Sequence, residues 1–130
     1  MKAILLFCLT TFSFANGIAE REKIEILINK IENSNFTFIR NNKNHTAKEA
    51  ARHLRMKLKN AQESWFAPKK SQWSARMFIE RIASKSSFTG NKYVIKLKSN
   101  ETIYSKDWLF QSLAHIEEEN KIVDNSSNSI

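Results

Sequence analysis

Apolar positions recur at helical spacing from Glu20 onward. Ile24, Leu27, Ile28 and Ile31 share one face and predict a first helix to about Asn33. Asn33, Ser34 and Asn35 break it, and Phe36, Thr37, Phe38 and Ile39 read as a short strand of aromatic and β-branched residues. Residues 40–44 are expected to turn, because Asn tolerates left-handed backbone angles. Thr46 and Glu49 then stand as a capping box before a second helix. Its apolar face holds Ala47, Ala50, Ala51, Leu54, Leu58, Ala61 and Trp65, and Pro68 is expected to end it.

A third helix is predicted from Ser74, with Trp73 and Phe78 placed as a hydrophobic staple and Ala75, Phe78, Ile79 and Ile82 as the buried stripe. Residues 84–90 are small and polar and end at Gly90. Residues 93–97 and 102–104 read as the two strands of a hairpin that turns at Asn100 and Glu101. Ser105 is expected to cap a last helix carrying Trp108, Leu109, Leu113 and Ile116, and residues 121–130 to form a frayed tail. The expected fold is helix-dominated α+β. It has about four helices, a short strand near residues 36–39 and a small hairpin near residues 92–104, all in one domain over residues 20–120.

The start of the chain follows a different pattern. Met1 and Lys2 precede an apolar stretch over residues 3–14, and small residues follow it, which is the layout of a cleavable secretory signal. Cleavage fits after Ala15 or after Ala19, and the helical pattern from Glu20 favours the second. The stretch is shorter than the roughly 20 residues a membrane span needs, so no transmembrane segment is expected once the signal is removed. The chain's one cysteine, Cys8, lies in this leader. Leu6 and Phe7 before it lack the small residue expected ahead of a lipidated cysteine, so it is expected to leave with the signal. The exported domain is therefore expected to hold together by its core, without disulfides or thiolate metal sites.

Charge narrows the class of partner. The formal net charge is +8, and loss of Lys2 with the leader lowers it by one. Arg40, Lys43, Lys48, Arg52, Arg55 and Lys59 fall in the predicted turn and on one stripe of the second helix, with Glu49 the single acid in that interval. This face is the leading candidate for binding an anion or a protein partner. Arginines grip carboxylates and phosphates bidentately, and the helix start adds backbone N–H groups. The competing explanation is a solvated face whose charges pair with acids such as Glu22 or Glu80.

Several blocks together carry a family resemblance. They are residues 38–41, residues 49–51, His53, Leu54, Arg55, Lys57, Ala75, Phe78, Ile79, residues 83–90 and Tyr93. In this ordered series the chain resembles the YfeK-like family of small exported bacterial proteins, a domain of unknown function. The resemblance covers essentially the whole exported part. It implies a Gram-negative periplasm and supplies no activity. Three departures stand out: the family usually has Gly where Asn42 stands and often an acid where Arg76 stands, and residues 65–73 look extended. The Asn-x-Ser/Thr sites at Asn35, Asn44, Asn100 and Asn125 are incidental in a bacterial protein.

Other candidate chemistry is thinner. Glu49 and His53 stand four residues apart and could share a helix edge as a carboxylate–imidazole pair, although the capping box already accounts for Glu49. Ser86 or Ser87 with His53 would make a small hydrolase or transferase, but no Gly-x-Ser-x-Gly elbow surrounds either serine. His45, His53 and His115 are scattered without a ligand spacing, Glu117, Glu118 and Glu119 lack a calcium loop, and no phosphate-binding Gly-rich loop occurs, so neither metal nor cofactor is expected. Trp65, Phe66 and Trp73 flank basic Lys69 and Lys70. Trp65 and Trp73 are expected in the core, while Phe66 is the candidate for exposure to a membrane interface or partner. Nucleic acid is not an expected partner of an exported protein. The leading expectation is a non-enzymatic periplasmic binding or adaptor domain, and the alternative is the serine–histidine enzyme.

Overall fold

Helix α1 (Glu20–Glu32) follows the expected periodicity and buries Ile24, Leu27, Ile28 and Ile31. The structure is a computed structural model that describes residues 17–129, so the leader stretch over residues 1–16 and Cys8 lie outside the described residues. Asn33 ends α1, and Asn35 adopts φ 57°, a left-handed angle that turns the chain towards the sheet.

Strand β1 (Thr37–Arg40) pairs antiparallel with β2 (Lys43–His45), which sets Arg40 opposite Lys43 and Phe38 opposite His45. Residues 40–44 are thus not all turn. Only Asn41 and Asn42 make it, with φ of 49° and 63°, the two positive angles of a type I′ hairpin. β2 escapes a periodicity search because Lys43, Asn44 and His45 carry no apolar alternation. Pairing with β1 makes it a strand.

Helix α2 (Ala47–Glu63) opens on the capping box. The Glu49 N–H donates to Thr46 Oγ1 at 3.2 Å, and the Thr46 N–H donates to Glu49 Oε2 at 2.8 Å. The helix stops at Glu63, five residues before Pro68, where Ser64 takes an extended backbone. That change of direction carries Trp65 off the buried stripe, and its side chain is 91% exposed, contrary to expectation. Trp73 is buried as expected and donates its indole N–H to the Pro68 carbonyl at 3.0 Å. Ser74 caps α3 (Ala75–Arg81) by accepting from the Met77 N–H at 3.1 Å.

Strands β3 (Val94–Lys96) and β4 (Thr102–Tyr104) form the second hairpin, and β3 pairs with β1 to give an antiparallel sheet of order β2-β1-β3-β4. Helix α4 (Ser105–Ser127) follows directly. Ser105 is its first residue rather than its cap. It is buried, and its N–H donates to the Tyr93 carbonyl at 2.9 Å. The helix also runs through residues 121–127, where a frayed tail was expected. No Gly or Pro stops it there, and Glu117 and Lys121 are spaced for a favourable i,i+4 contact. Its core contacts end at Ile116, so the last turns project beyond the packed body and leave Ile122 and Val123 exposed.

Four helices and a four-stranded sheet among the described residues make a helix-dominated α+β fold. Helix α1 is the hub, touching α2, α3 and α4, and Phe78, Leu27, Ile28, Ile31, Ile79, Ile95 and Leu109 form the fully buried centre. Phe38 and Ile95 point the sheet's inner face into this core, and α2 packs against β1. The hairpin tip therefore lies beside α2 and the loop over residues 84–91.

Candidate functional site

The loop over residues 84–91 organises itself first. Ser86 Oγ accepts from the Phe88 and Thr89 N–H groups, both at 3.4 Å, and the Gly90 N–H donates to the Ser86 carbonyl at 3.0 Å. Gly90 supplies φ 72°, which a side chain would resist. Asn41, at the tip of the β1–β2 hairpin, locks onto this loop. Its Oδ1 accepts from Thr89 Oγ1 at 2.7 Å and from Asn91 Nδ2 at 3.3 Å, while its Nδ2 donates to Ser86 Oγ at 3.5 Å. Ser84 Oγ in turn donates to the Ile79 carbonyl.

Helix α2 braces the same region from the other side. Lys57 Nζ donates to the carbonyls of Ile82 (2.9 Å) and Lys85 (2.7 Å) and to the Tyr93 hydroxyl (3.2 Å). The Tyr93 hydroxyl also lies 3.3 Å from His53 Nε2. Because Lys57 donates to the phenol oxygen, the phenol proton is available for Nε2, which then acts as acceptor. Burial pushes the His53 pKa down to about 4, helped by the charges of Arg40, Lys57 and His45. Burial likewise lowers Lys57 to about 8, with Arg40 and Lys85 adding to it. Tyr93 is raised by burial, against an opposing pull from Arg40. Arg40 thus acts on all three groups, and no carboxylate is among the causes of any of these shifts.

Two concavities meet at Arg40, His53, Met56 and Tyr93. The smaller, about 300 Å³, lies between the β1–β2 hairpin and α2, with Phe38, Ala50 and Leu54 lining it and Arg40 and Arg52 among its charged residues. Neither arginine pairs with a carboxylate among the described residues. Glu49 borders this pocket but is committed to the capping box, and it lies 3.9 Å from His45 Nδ1. The backbone hydrogen bond from Thr46, the largest favourable cause, holds the Glu49 carboxyl below its usual range. His45 also lines this pocket, and its Nε2 is buried without a partner among the described residues. The larger groove, about 890 Å³, runs on the other side along α2 towards Phe66, Arg81 and Phe88.

The candidate basic face divides in this geometry. Arg40 and Arg52 meet at the smaller pocket, and Lys43 and Lys48 are exposed nearby on β2 and the first turn of α2. Arg55 turns towards α1 instead. It donates to Glu32 Oε2 at 3.2 Å and to Asn29 Oδ1 at 2.8 Å, and Lys59 lines a separate depression on that side. Glu49 does not engage His53. Ser86, Ser87 and His53 all border the larger groove, yet the hydrogen bonds of Ser86 go to its own loop and Asn41, and those of His53 to Tyr93. Among the described residues no cluster of three or more His, Cys, Asp or Glu side chains is placed to hold a metal. No helix there is long and apolar enough to cross a membrane. Phe66 is exposed as expected. Sequence reasoning did not single out Asn41, Lys57 and Tyr93 as candidate site residues, although all three sit in the blocks that carry the family resemblance.

Residues 18–117 match the family described as a family of unknown function, DUF5329. The chain belongs to that family. It is 34% identical over 93 residues to a protein described as uncharacterized protein YfeK from Salmonella typhimurium strain LT2, covering 70% of this chain and 72% of the relative. No solved structure matches the chain. Asn42 takes a left-handed angle at the β1–β2 turn, a requirement that Gly and Asn both meet.

Proposed function

We propose that this chain is an exported, periplasmic, non-enzymatic binding or adaptor domain that takes an anion with an apolar body in the pocket between the β1–β2 hairpin and α2. The observation that carries this reading is the pairing of an apolar floor with Arg40 and Arg52, neither in a salt bridge among the described residues, the pocket's carboxylate Glu49 being held in the capping box with the Arg52 charge acting on it only weakly. A pocket of about 300 Å³ suits a small ligand or one side chain of a partner protein, with the arginines fixing a carboxylate or phosphate. Export is supported by the Met1–Lys2 start and the apolar stretch that follows, ahead of a family match beginning at residue 18.

The test titrates the protein with alkyl carboxylates and alkyl phosphates of increasing chain length, following the backbone amide resonances of Ala50 and Phe38. Affinity is expected to rise with chain length and to fall at least about tenfold in Arg52→Glu, which reverses one cation at an exposed position. Thermal stability of that variant is expected to stay close to that of the unaltered chain. Binding that is unchanged by Arg52→Glu, or that is absent for every chain length, would refute the proposal.

A further inference from the structure

Three large aromatic side chains stand almost wholly in solvent: Trp65 at 91%, Phe66 at 94% and Phe88 at 100% exposure. They come from two separate segments, the turn after α2 and the loop over residues 84–90, and Phe66 and Phe88 border the same groove. Scattered exposed apolar residues are ordinary on protein surfaces, but here Phe66 and Phe88 project at one groove and the Trp65 ring stands 6.3 Å from that of Phe66, which makes a patch.

The charge around that opening has one sign. Arg40, Lys57 and Arg81 are the charged residues lining the groove, and none pairs with a carboxylate among the described residues. Lys69, Lys70 and Lys85, exposed beside the aromatic segments, extend the same sign outward. Across residues 64–100 the sole acid is Glu80.

We infer that this aromatic-rimmed, cationic groove docks the domain onto an anionic phospholipid surface. Aromatic rings with polar surroundings settle at the headgroup level of a bilayer, and neighbouring cations are drawn to anionic headgroups. The way the rings project decides for a membrane over an acidic peptide. A groove that grips a peptide lays its aromatics along its walls, whereas Phe88 and Phe66 lie almost clear of the protein surface and are placed to enter the interface. Arg81 at the groove and the exposed Lys69, Lys70 and Lys85 beside the aromatic segments supply the cations for the phosphates. This surface uses Phe66, Phe88 and Arg81, which take no part in the smaller pocket, so its test stands apart from that of the pocket.

Protein purified from cells expressing the full chain is sedimented with vesicles of phosphatidylcholine alone or mixed with phosphatidylglycerol. Phe66→Ser/Phe88→Ser and Arg81→Glu are run alongside, all with the same N-terminus. Binding is expected to the mixed vesicles only and to weaken with added salt. The double aromatic variant is expected to lose at least about tenfold in partitioning and Arg81→Glu severalfold, both with unchanged melting midpoints, because the altered side chains are exposed. The inference is overturned by failure to bind the mixed vesicles, by equal binding to phosphatidylcholine, or by full binding in the aromatic variant. Capture of a poly-glutamate peptide without vesicle binding would overturn it in favour of a peptide groove.

Discussion

His53 makes the fold acid-sensitive in a window that can be calculated. Its pKa falls from 6.5 to about 4 on folding, chiefly because burial disfavours the imidazolium and secondarily because Arg40, Lys57 and His45 repel it. Between those values the unfolded chain binds a proton that the folded chain refuses, so stability is present above 6.5 and drains away as pH falls towards 4. Over the interval from about pH 7 to about pH 5 the whole shift corresponds to close to 2 kcal/mol. The imidazole borders both solvent-filled concavities, and screening reduces that to about 1 kcal/mol. Staying at or below pH 7 also keeps Lys57 mostly protonated, since its pKa is lowered only to about 8. The comparison is with His53→Gln, whose amide oxygen still accepts from the Tyr93 hydroxyl but does not titrate. Carboxylates such as Glu49 lose stabilisation on acidification in both proteins, so the difference between them isolates the imidazole. Urea unfolding at the two pH values is expected to show a fall in midpoint larger by about 0.5–1 M in the unaltered chain than in His53→Gln. Equal falls would refute the placement of a neutral, half-buried imidazole beside Arg40.

Two further outcomes check the architecture. Asn42→Gly removes the cost of a left-handed angle at the β1–β2 turn and is expected to stabilise by about 0.5 kcal/mol, or about 2–4 °C in a thermal melt; a lower midpoint would contradict the type I′ turn. Arg55→Glu sets a carboxylate against Glu32 and strands Asn29, costing about 1–2 kcal/mol in chemical unfolding, whereas Arg52→Glu costs less than about 0.5. If the two arginine variants melt alike, the basic stripe has not divided as described.

What could be read from the sequence follows the range of the interaction that carries it. The capping box of α2, the stripe of α1 and the start of α3 at Ser74 are local patterns, and each appears at the expected residues. Strand β2 was hidden because its only reason to be extended is its partner: Lys43, Asn44 and His45 carry no alternation, and register with β1 supplies the order. Trp65 misled for the converse reason. Helical spacing continues through it, but the backbone leaves the helix at Ser64, and a wheel drawn along the sequence has no access to that angle. The site shows the same division. A helical wheel puts Arg52 and Arg55 on one stripe, but it holds no information that α1 presents Glu32 and Asn29 to one and leaves the other at the pocket. The hydrogen bonds joining Asn41 to Ser86, Lys57 to Tyr93 and His53 to Tyr93 span 45, 36 and 40 residues, distances over which spacing rules say nothing. Those long-range bonds make Arg40 consequential. They hold the hairpin tip, α2 and the hydroxyl-rich loop around a guanidinium with no salt-bridged carboxylate among the described residues, so the positive potential of the region follows from the fold and not from net charge alone.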